Sequence, residues 1–487
     1  MTGGCRLAVS SSFRAFFVIA RAAELLWGPF TVFLLFAAGI VFSMGTGFFI
    51  LRHPLFLLRE TALSLFYSPQ KRENAISPFE ALCTALAGTL GTGNMAGTAA
   101  AIALGGPGAI FWMMVCALLG MMTKAAECTL AVRFRTRLPQ GEYRGGAMYY
   151  MRDGLGGPWK AAAFVFTAAM AVSALGTTAV QPYTMAAAVE TAFGLPKAVT
   201  IAAASLLCAR VIFFGSRGIA RFCAWMTPLL CILYTGGCIA AIWIHRDAVL
   251  PALSLILRCA FSKEAAMGGA AGAGLRRAIS IGFSKSTFTH EAGMGSASIV
   301  HASADARHPA AQGLLGAAEV FVDTLVICML TALVILTAGE KIWMSGAAGI
   351  DLTMAAFRAS LGVWGDCLIA VCSVLFAFST MVSWSFEFET SMEWLFGRHP
   401  LLYRALYILP PFAVAGLDPS AVWQLVDFCT GIVVIPNVTA LLLLSGVFFR
   451  LFDEYVSKEH ALHRPLKSSR GVLSVSPRRI LSSQSRR

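Results

Sequence analysis

Two short stretches put glycines and polar side chains where an otherwise apolar sequence has little ordinary use for them. The first runs Gly88-Thr89-Leu90-Gly91-Thr92-Gly93-Asn94-Met95-Ala96-Gly97. The second runs from Ser284 to Gly295 and holds Phe288, His290, Glu291 and Gly293. Where a helix unwinds, its backbone N–H and C=O groups lose their partners along the chain. In an apolar medium each bare group costs several kcal/mol, so such groups must line a site where a solute or an ion satisfies them. The chemistry on offer is therefore binding: N–H groups at a helix start suit an anion, carbonyls suit a cation. The same glycines could serve only close helix packing, and Gly93 and Gly97 have the small-xxx-small spacing. The pairing of the two stretches, with Asn94 and Glu291 beside the breaks, favours a site.

Ionisable groups also sit inside apolar runs. Lys124 and Glu127 are three residues apart and share a helix face. They read as a structural ion pair near an interface, or else as functional groups. Glu319 and Asp323, four apart, repel unless one is protonated or a basic group intervenes. Intramembrane charges are functional candidates by default.

The surrounding elements follow from composition. Of 487 residues, 57% are hydrophobic and 13% charged, against roughly 25% charged in soluble domains. A bilayer absorbs that much apolar surface; a soluble core does not. Eleven spans are expected, near 26–50, 77–103, 107–132, 159–183, 195–215, 222–244, 274–302, 312–338, 362–386, 401–416 and 425–450. Segments 133–158 and 245–273 read as connections with interfacial pieces. The 38 basic residues against 25 acidic ones lie in short loops and in a tail after Arg450, which is topology rather than nucleic-acid binding. A cytoplasmic tail makes 51–76, 133–158 and 210–221 inside connections rich in Lys and Arg. The outside connections 104–106 and 184–194 have neither. Arg6, Arg14 and Arg21 run against this orientation unless they belong to an interfacial helix. The 13 cysteines show no CxxC pair and read as small apolar side chains; neither a zinc spacing nor a phosphate loop appears. The spans group as an extra helix with its connection (1–75), two five-span blocks (76–245 and 246–450) and a disordered basic tail (451–487). Each block opens with one of the interrupted spans, the sequence pointer to an inverted-repeat transporter.

At these residues the chain resembles the alanine or glycine:cation symporter family, the sodium:alanine symporters. The likeness runs from about Ile76 to Gly446. It is carried by ALCTALAGTLGTGNMAGTAAAIALGGPGAIFWMMV at 81–115, TKAAECTLAVRFR at 123–135, FTHEAGMGSAS at 288–298, FSTMVSWS at 378–385 and VIPNVTALLLLSG at 434–446. The resemblance implies an all-α, leucine-transporter-like fold of two inverted five-helix repeats preceded by one helix. It also implies uptake of alanine or glycine driven by Na⁺ or H⁺ across a prokaryotic inner membrane, without enzymatic activity or a resident cofactor. A carrier of another small amino acid such as serine, or an ion channel, is the alternative.

Residue roles follow. The substrate carboxylate suits the N–H groups of Gly91, Thr92, Gly93 and Asn94 at a half-helix start. Its ammonium suits carbonyls near Phe288 or the amide of Gln181, which is otherwise a polar cap beside Pro182. Phe288 and Trp384 are expected to wall the pocket, or else to face lipid and neighbouring helices. The resemblance places sodium among the carbonyls of Ala87, Leu90 and Phe376 and the hydroxyls of Ser379 and Thr380. Those hydroxyls otherwise bond back to their own helical turn. One charge crossing 100 mV releases about 2.3 kcal/mol, roughly a fifty-fold accumulation of a neutral zwitterion. The chain departs from the family pattern at Ser286, Thr287 and His290, where RGLFSNEAG is usual. It departs again at Phe386, Glu387 and Phe388, where two tyrosines and a glycine are usual, and at Ala147, where proline is usual. His290 opens the prospect of proton coupling.

Overall fold

The computed structural model describes residues 21–23, 25–66, 76–139, 141–261, 274–414 and 419–462. The polypeptide there is almost wholly helical. The N-terminal arginines Arg6 and Arg14 lie outside the described residues, as does 463–487.

In chain order the helices are α1 (Pro29–Gly45), α2 (Pro54–Phe66), α3 (Pro78–Thr89), α4 (Thr92–Gly105) and α5 (Gly108–Arg133). A small antiparallel ribbon follows, β1 (Thr136–Arg137) with β2 (Tyr143–Arg144). Then come α6 (Trp159–Phe193), α7 (Lys197–Ile212), α8 (Gly215–Ile244), α9 (Val249–Phe261), α10 (Gly274–His290) and α11 (Ser296–Ala302). Next are α12 (Pro309–Val320), widened through a π-helical stretch at Phe321–Cys328 into α13 (Met329–Thr337), and then α14 (Ile350–Leu361). The chain continues through α15 (Val363–Phe396), α16 (Pro400–Ile408), α17 (Pro410–Val414), α18 (Pro419–Leu443) and α19 (Ser445–Leu462).

Among the described residues, six stretches are long and apolar enough to cross a membrane: Gly108–Arg133, Trp159–Phe193, Gly215–Ile244, Pro309–Thr337, Val363–Phe396 and Gln424–Leu443. The other expected spans are shorter or interrupted. The first is a 17-residue helix and the fifth a 16-residue one. The tenth is divided at Pro410, because proline removes an N–H and clashes with the preceding turn. The second and seventh are broken as expected, at Leu90–Gly91 and at Glu291–Gly295.

Local sequence explains the starts. Ser77 Oγ accepts from Glu80 N at 3.1 Å while Glu80 Oε2 accepts from Ser77 N at 2.8 Å, a reciprocal cap on α3 with Pro78 in its first turn. His308 Nδ1 accepts from Ala310 N at the start of α12. Small residues set the crossings. A Cβ on Gly313 would lie 2.6 Å from the Ala125 carbonyl, so α12 and α5 meet backbone to backbone. Helix α15 packs along α6, and α18 against α6. By contrast, only 28% of the apolar window of α8 is buried, and Trp225, Ile232, Ile239 and Trp243 face outward, as a lipid-facing helix requires.

Two expectations are corrected here. The tail does not become irregular at 451: residues 451–462 continue α19. There Tyr455 O–H donates to Glu60 Oε2 at 2.7 Å and Arg307 pairs with the same carboxylate at 2.6 Å. Nor do Lys124 and Glu127 form an ion pair with each other. Lys124 Nζ lies 3.1 Å from Glu319 Oε1, and Glu127 turns to the second helix break.

Candidate functional site

The first break is short. Helix α3 ends at Thr89 and α4 starts at Thr92, with Gly91 extended at its N-cap. Asn94 holds this corner. Its Oδ1 accepts from Gly91 N at 3.0 Å and its Nδ2 donates to Asp323 Oδ1 at 2.6 Å, across to the π-helical stretch. Gly91 N–H also donates to Thr89 O at 2.9 Å. A helix start leaves its first N–H groups without intrahelical acceptors, so Thr92 and Gly93 are the donors left to meet an anion. Thr92 Oγ1 donates to Gln181 Oε1 at 2.9 Å, which ties α4 to α6.

The second break is longer and lies later than expected. Helix α10 continues through Phe288 to His290, and the irregular segment is Glu291–Gly295. Carbonyls freed by unwinding are therefore those after His290, not those around Phe288. Glu291 has φ 54°, uncommon for a residue with a side chain, and Gly293 and Gly295 have φ 92° and 80°. Glu127 on α5 grips this segment: its Oε1 accepts from Gly293 N at 2.9 Å, Gly295 N at 3.1 Å and Asn437 Nδ2 at 2.6 Å. Tyr150 O–H donates to Asn437 Oδ1 in turn. Glu291 bonds locally, accepting from Ser296 Oγ, so the tie to other helices is made by Glu127 instead. Glu319 and Asp323, which would repel as neighbours, are separated in function. Glu319 takes Lys124 and His301 as partners at 3.1 Å each, while Asp323 takes Asn94 and the Thr324 hydroxyl.

Between the breaks lies a small cavity of about 30 Å³, room for roughly two waters. Gly91, Gly93, Gln181, Phe288, Glu291, Thr380 and Trp384 line it. Six of these were expected from sequence; Glu291 was expected only beside a break. Asn94 is not among the lining residues, and its side chain is spent on Gly91 and Asp323, so it is a strut of the site rather than a contact surface. Thr177, Met294, Val426 and Thr430 also line the cavity and went unmarked in sequence. Thr177, Val426 and Thr430 are ordinary residues of apolar helices, brought in by the crossing of α6 and α18, while Met294 belongs to the irregular segment of the second break. Phe288 lines a second space too, of about 240 Å³, with Trp27, Lys285, Gln424 and Asp427. Its ring thus stands as a wall between the cavity and a more polar vestibule.

The five residues expected around a cation are brought together. Thr380 Oγ1 lies 3.1 Å from the Ala87 carbonyl, 3.4 Å from that of Leu90 and 2.9 Å from that of Phe376. Ser379 Oγ lies 3.0 Å from the Phe376 carbonyl. Both hydroxyls also back-bond their own turn, so the two readings of this pair coexist in one geometry. The oxygens converge where α3 ends against α15, beside the cavity.

The sodium:alanine symporter family model matches residues 14–468. The chain belongs to the sodium:alanine symporter family. It is 37% identical over 431 residues to the sodium/alanine symporter AgcS of Methanococcus maripaludis, covering 86% of this chain and 93% of that one. It is 34% identical over 454 residues to the probable sodium/glutamine symporter GlnT of Bacillus subtilis, covering 92% of each. Among solved structures, that of MhsT in complex with L-phenylalanine superposes with a TM-score of 0.55 at 17% identity, covering 77% of this chain and 90% of that one. That likeness is one of fold, the leucine-transporter type. The symporter is thus an integral membrane protein that moves an amino acid together with a cation, and not an enzyme.

Proposed function

We propose that the chain imports a small neutral amino acid, alanine or glycine, together with Na⁺ or H⁺ by alternating access. The observation that carries this reading is the convergence of Thr380 Oγ1 with the carbonyls of Ala87, Leu90 and Phe376 beside the start of α4. Carbonyl and hydroxyl oxygens suit Na⁺, and the helix start supplies positive dipole to a carboxylate a few ångströms away. Ion and solute in one site couple their movements. In this reading Thr92, Gly93 and the Gln181 amide meet the substrate's charged ends, and Phe288 and Trp384 close the pocket. Sodium is held by Ala87, Leu90, Phe376, Ser379 and Thr380.

The nearest competing substrates are serine and, from the GlnT relative's name, glutamine. We assign residues 1–75 to the extra helix and its connection. Residues 76–245 and 246–450 are the two inverted five-span repeats, eleven spans in all, with the C-terminus in the cytoplasm of a prokaryotic cell. Counterflow of labelled alanine, glycine, serine and their D-forms in proteoliposomes tests the substrate. Exchange of alanine or glycine ahead of serine is expected; exchange of none of them contradicts the proposal. A channel would pass its ion without saturable exchange.

A further inference from the structure

Helix α15 presents one face to the first break through residues three and four apart. Thr380 reaches the Ala87 carbonyl, Ser383 donates to the Thr84 carbonyl at 2.6 Å, and Trp384 Nε1 approaches the Gly88 carbonyl at 3.4 Å. The next residue on that face is Glu387. A Cβ placed on Gly88, which lines the cavity, would lie 3.5 Å from Glu387 Oε1. The carboxyl therefore sits directly beneath the cavity floor. Beyond it, Glu389 and Glu393 pair with Arg144 of the β2 ribbon, at 3.6 Å and 2.8 Å, in the basic connection assigned to the cytoplasmic side.

Glu387 is 1% exposed, and its Oε2 has no hydrogen-bond partner among the described residues. No ion pair reaches it among those residues either. The charged and titratable groups around it are Glu291 from the second break, Lys124 of α5, Glu319 of α12 and Tyr407 of α16. Glu291 is itself a cavity-lining carboxyl in a strained backbone position. Lys124 is already committed to Glu319 at 3.1 Å. Two carboxyls thus share a buried region without a cation of their own, and like charges so placed do not both ionise. A carboxylate out of water persists only as the neutral acid or with a cation bound.

We propose that Glu387 is a proton-binding site on the cytoplasmic side of the cavity, its Oε2 carrying a proton at neutral pH in this conformation and releasing it as the path to the cytoplasm opens. Protonation of Glu387 is a statement about the resting protein. The coupling of that proton to solute movement rests on the symport reading above.

The test is infrared difference spectroscopy on the full-length protein in lipid, following the carbonyl stretch of a protonated carboxyl as pH is raised. Wild type is expected to show the band at pH 7, Glu387→Asp to keep it at a shifted position, and Glu387→Gln to lose it. Absence of the band in wild type, or its undiminished survival in Glu387→Gln, overturns the proposal. Loss of the band on adding Na⁺ at constant pH also overturns it, since the site is then a cation site. If Glu387→Gln does not fold, a shifted band in Glu387→Asp against wild type still supports the assignment, and an unshifted one overturns it. Alanine counterflow on the same preparation separates the two claims: a band without counterflow leaves the proton site standing and removes alanine.

Discussion

The two interrupted helices solve the same problem in opposite ways. At the first break, between α3 and α4, the chain turns within two residues, Leu90 and Gly91, and Gly91 and Gly93 line the cavity. At the second, five residues depart from the helix, and the protein supplies their partners: one carboxylate oxygen of Glu127 takes two backbone N–H groups and an amide from Asn437. Both breaks are tied by other helices, but the glycines of the first line the cavity, while the second is held by Glu127 of α5 and by Asn437. The break whose glycines line the cavity is therefore the one expected to read the solute. The other sets the position of Phe288 and Glu291.

The largest effect that would break this contrast is at Glu127. Glu127→Ala orphans two buried backbone N–H groups and removes one acceptor from the Asn437 amide, and is expected to cost on the order of 3–5 kcal/mol. Thermal unfolding in lipid–detergent mixtures reads it, and unchanged stability would mean that the second break does not depend on its strut. At the first break stability should change little and binding much. Gly91→Ala places a methyl 3.0 Å from Thr380 Oγ1 and 3.2 Å from the Gln181 amide. The crowding there is expected to raise the half-saturation concentration for alanine by roughly tenfold to a hundredfold. Thr380→Val removes one oxygen from the convergent set. It is expected to raise the half-saturating sodium concentration about tenfold, or ~1.4 kcal/mol, with a smaller change for solute at saturating sodium. Tyr150→Phe deletes only the bond that steadies Asn437 and should cost about 1 kcal/mol in the same unfolding assay.

The smallest effect lies outside the membrane, where α19 meets α2. His308 stacks on Tyr455 at 5.1 Å, and partial burial holds its imidazole below the usual histidine value. A histidine lowered by folding binds fewer protons folded than unfolded. Its contribution is present above the ordinary value of about 6.5 and is lost as pH falls through and below it. Half-exposed as the ring is, screening keeps this to a few tenths of a kcal/mol. A slightly lower unfolding temperature at pH 5.5 than at pH 7.5, abolished in His308→Gln, checks it.

The sequence made the first break legible because glycine, threonine and asparagine inside an apolar span have few other uses. Of the expected hydroxyl pair, Thr380 lies against the Ala87 and Leu90 carbonyls, while Ser379 bonds only back to Phe376 in its own turn. The second break was displaced because its polar run begins at Ser284, while helical geometry survives to His290. Serine and threonine tolerate a helix by bonding back along it, as Thr289 does to Ser286 at 2.8 Å, so polarity alone does not mark where unwinding begins. Asn94 reads as part of the helix start that meets the substrate, and Glu127 as the partner of Lys124 three residues away. Their true partners, Asp323 and Gly293, lie 229 and 166 residues away, a separation that spacing cannot reveal. The helix after 450 was hidden by its charge: its residues Phe452 and Tyr455 bury against Phe49 and against Glu60 of α2 rather than in an apolar span of their own.

Electrogenic uptake carries the central claim most directly. Purified protein in liposomes is given labelled alanine, with an inward sodium gradient in one arm, sodium replaced on both sides in another, and an inside-negative potential imposed in each. We expect accumulation above equilibrium in the sodium arm, increased by the potential, and lost in Thr380→Val at low sodium. Equal uptake in both arms, insensitive to Thr380, would contradict a sodium ion at the junction of α3 and α15.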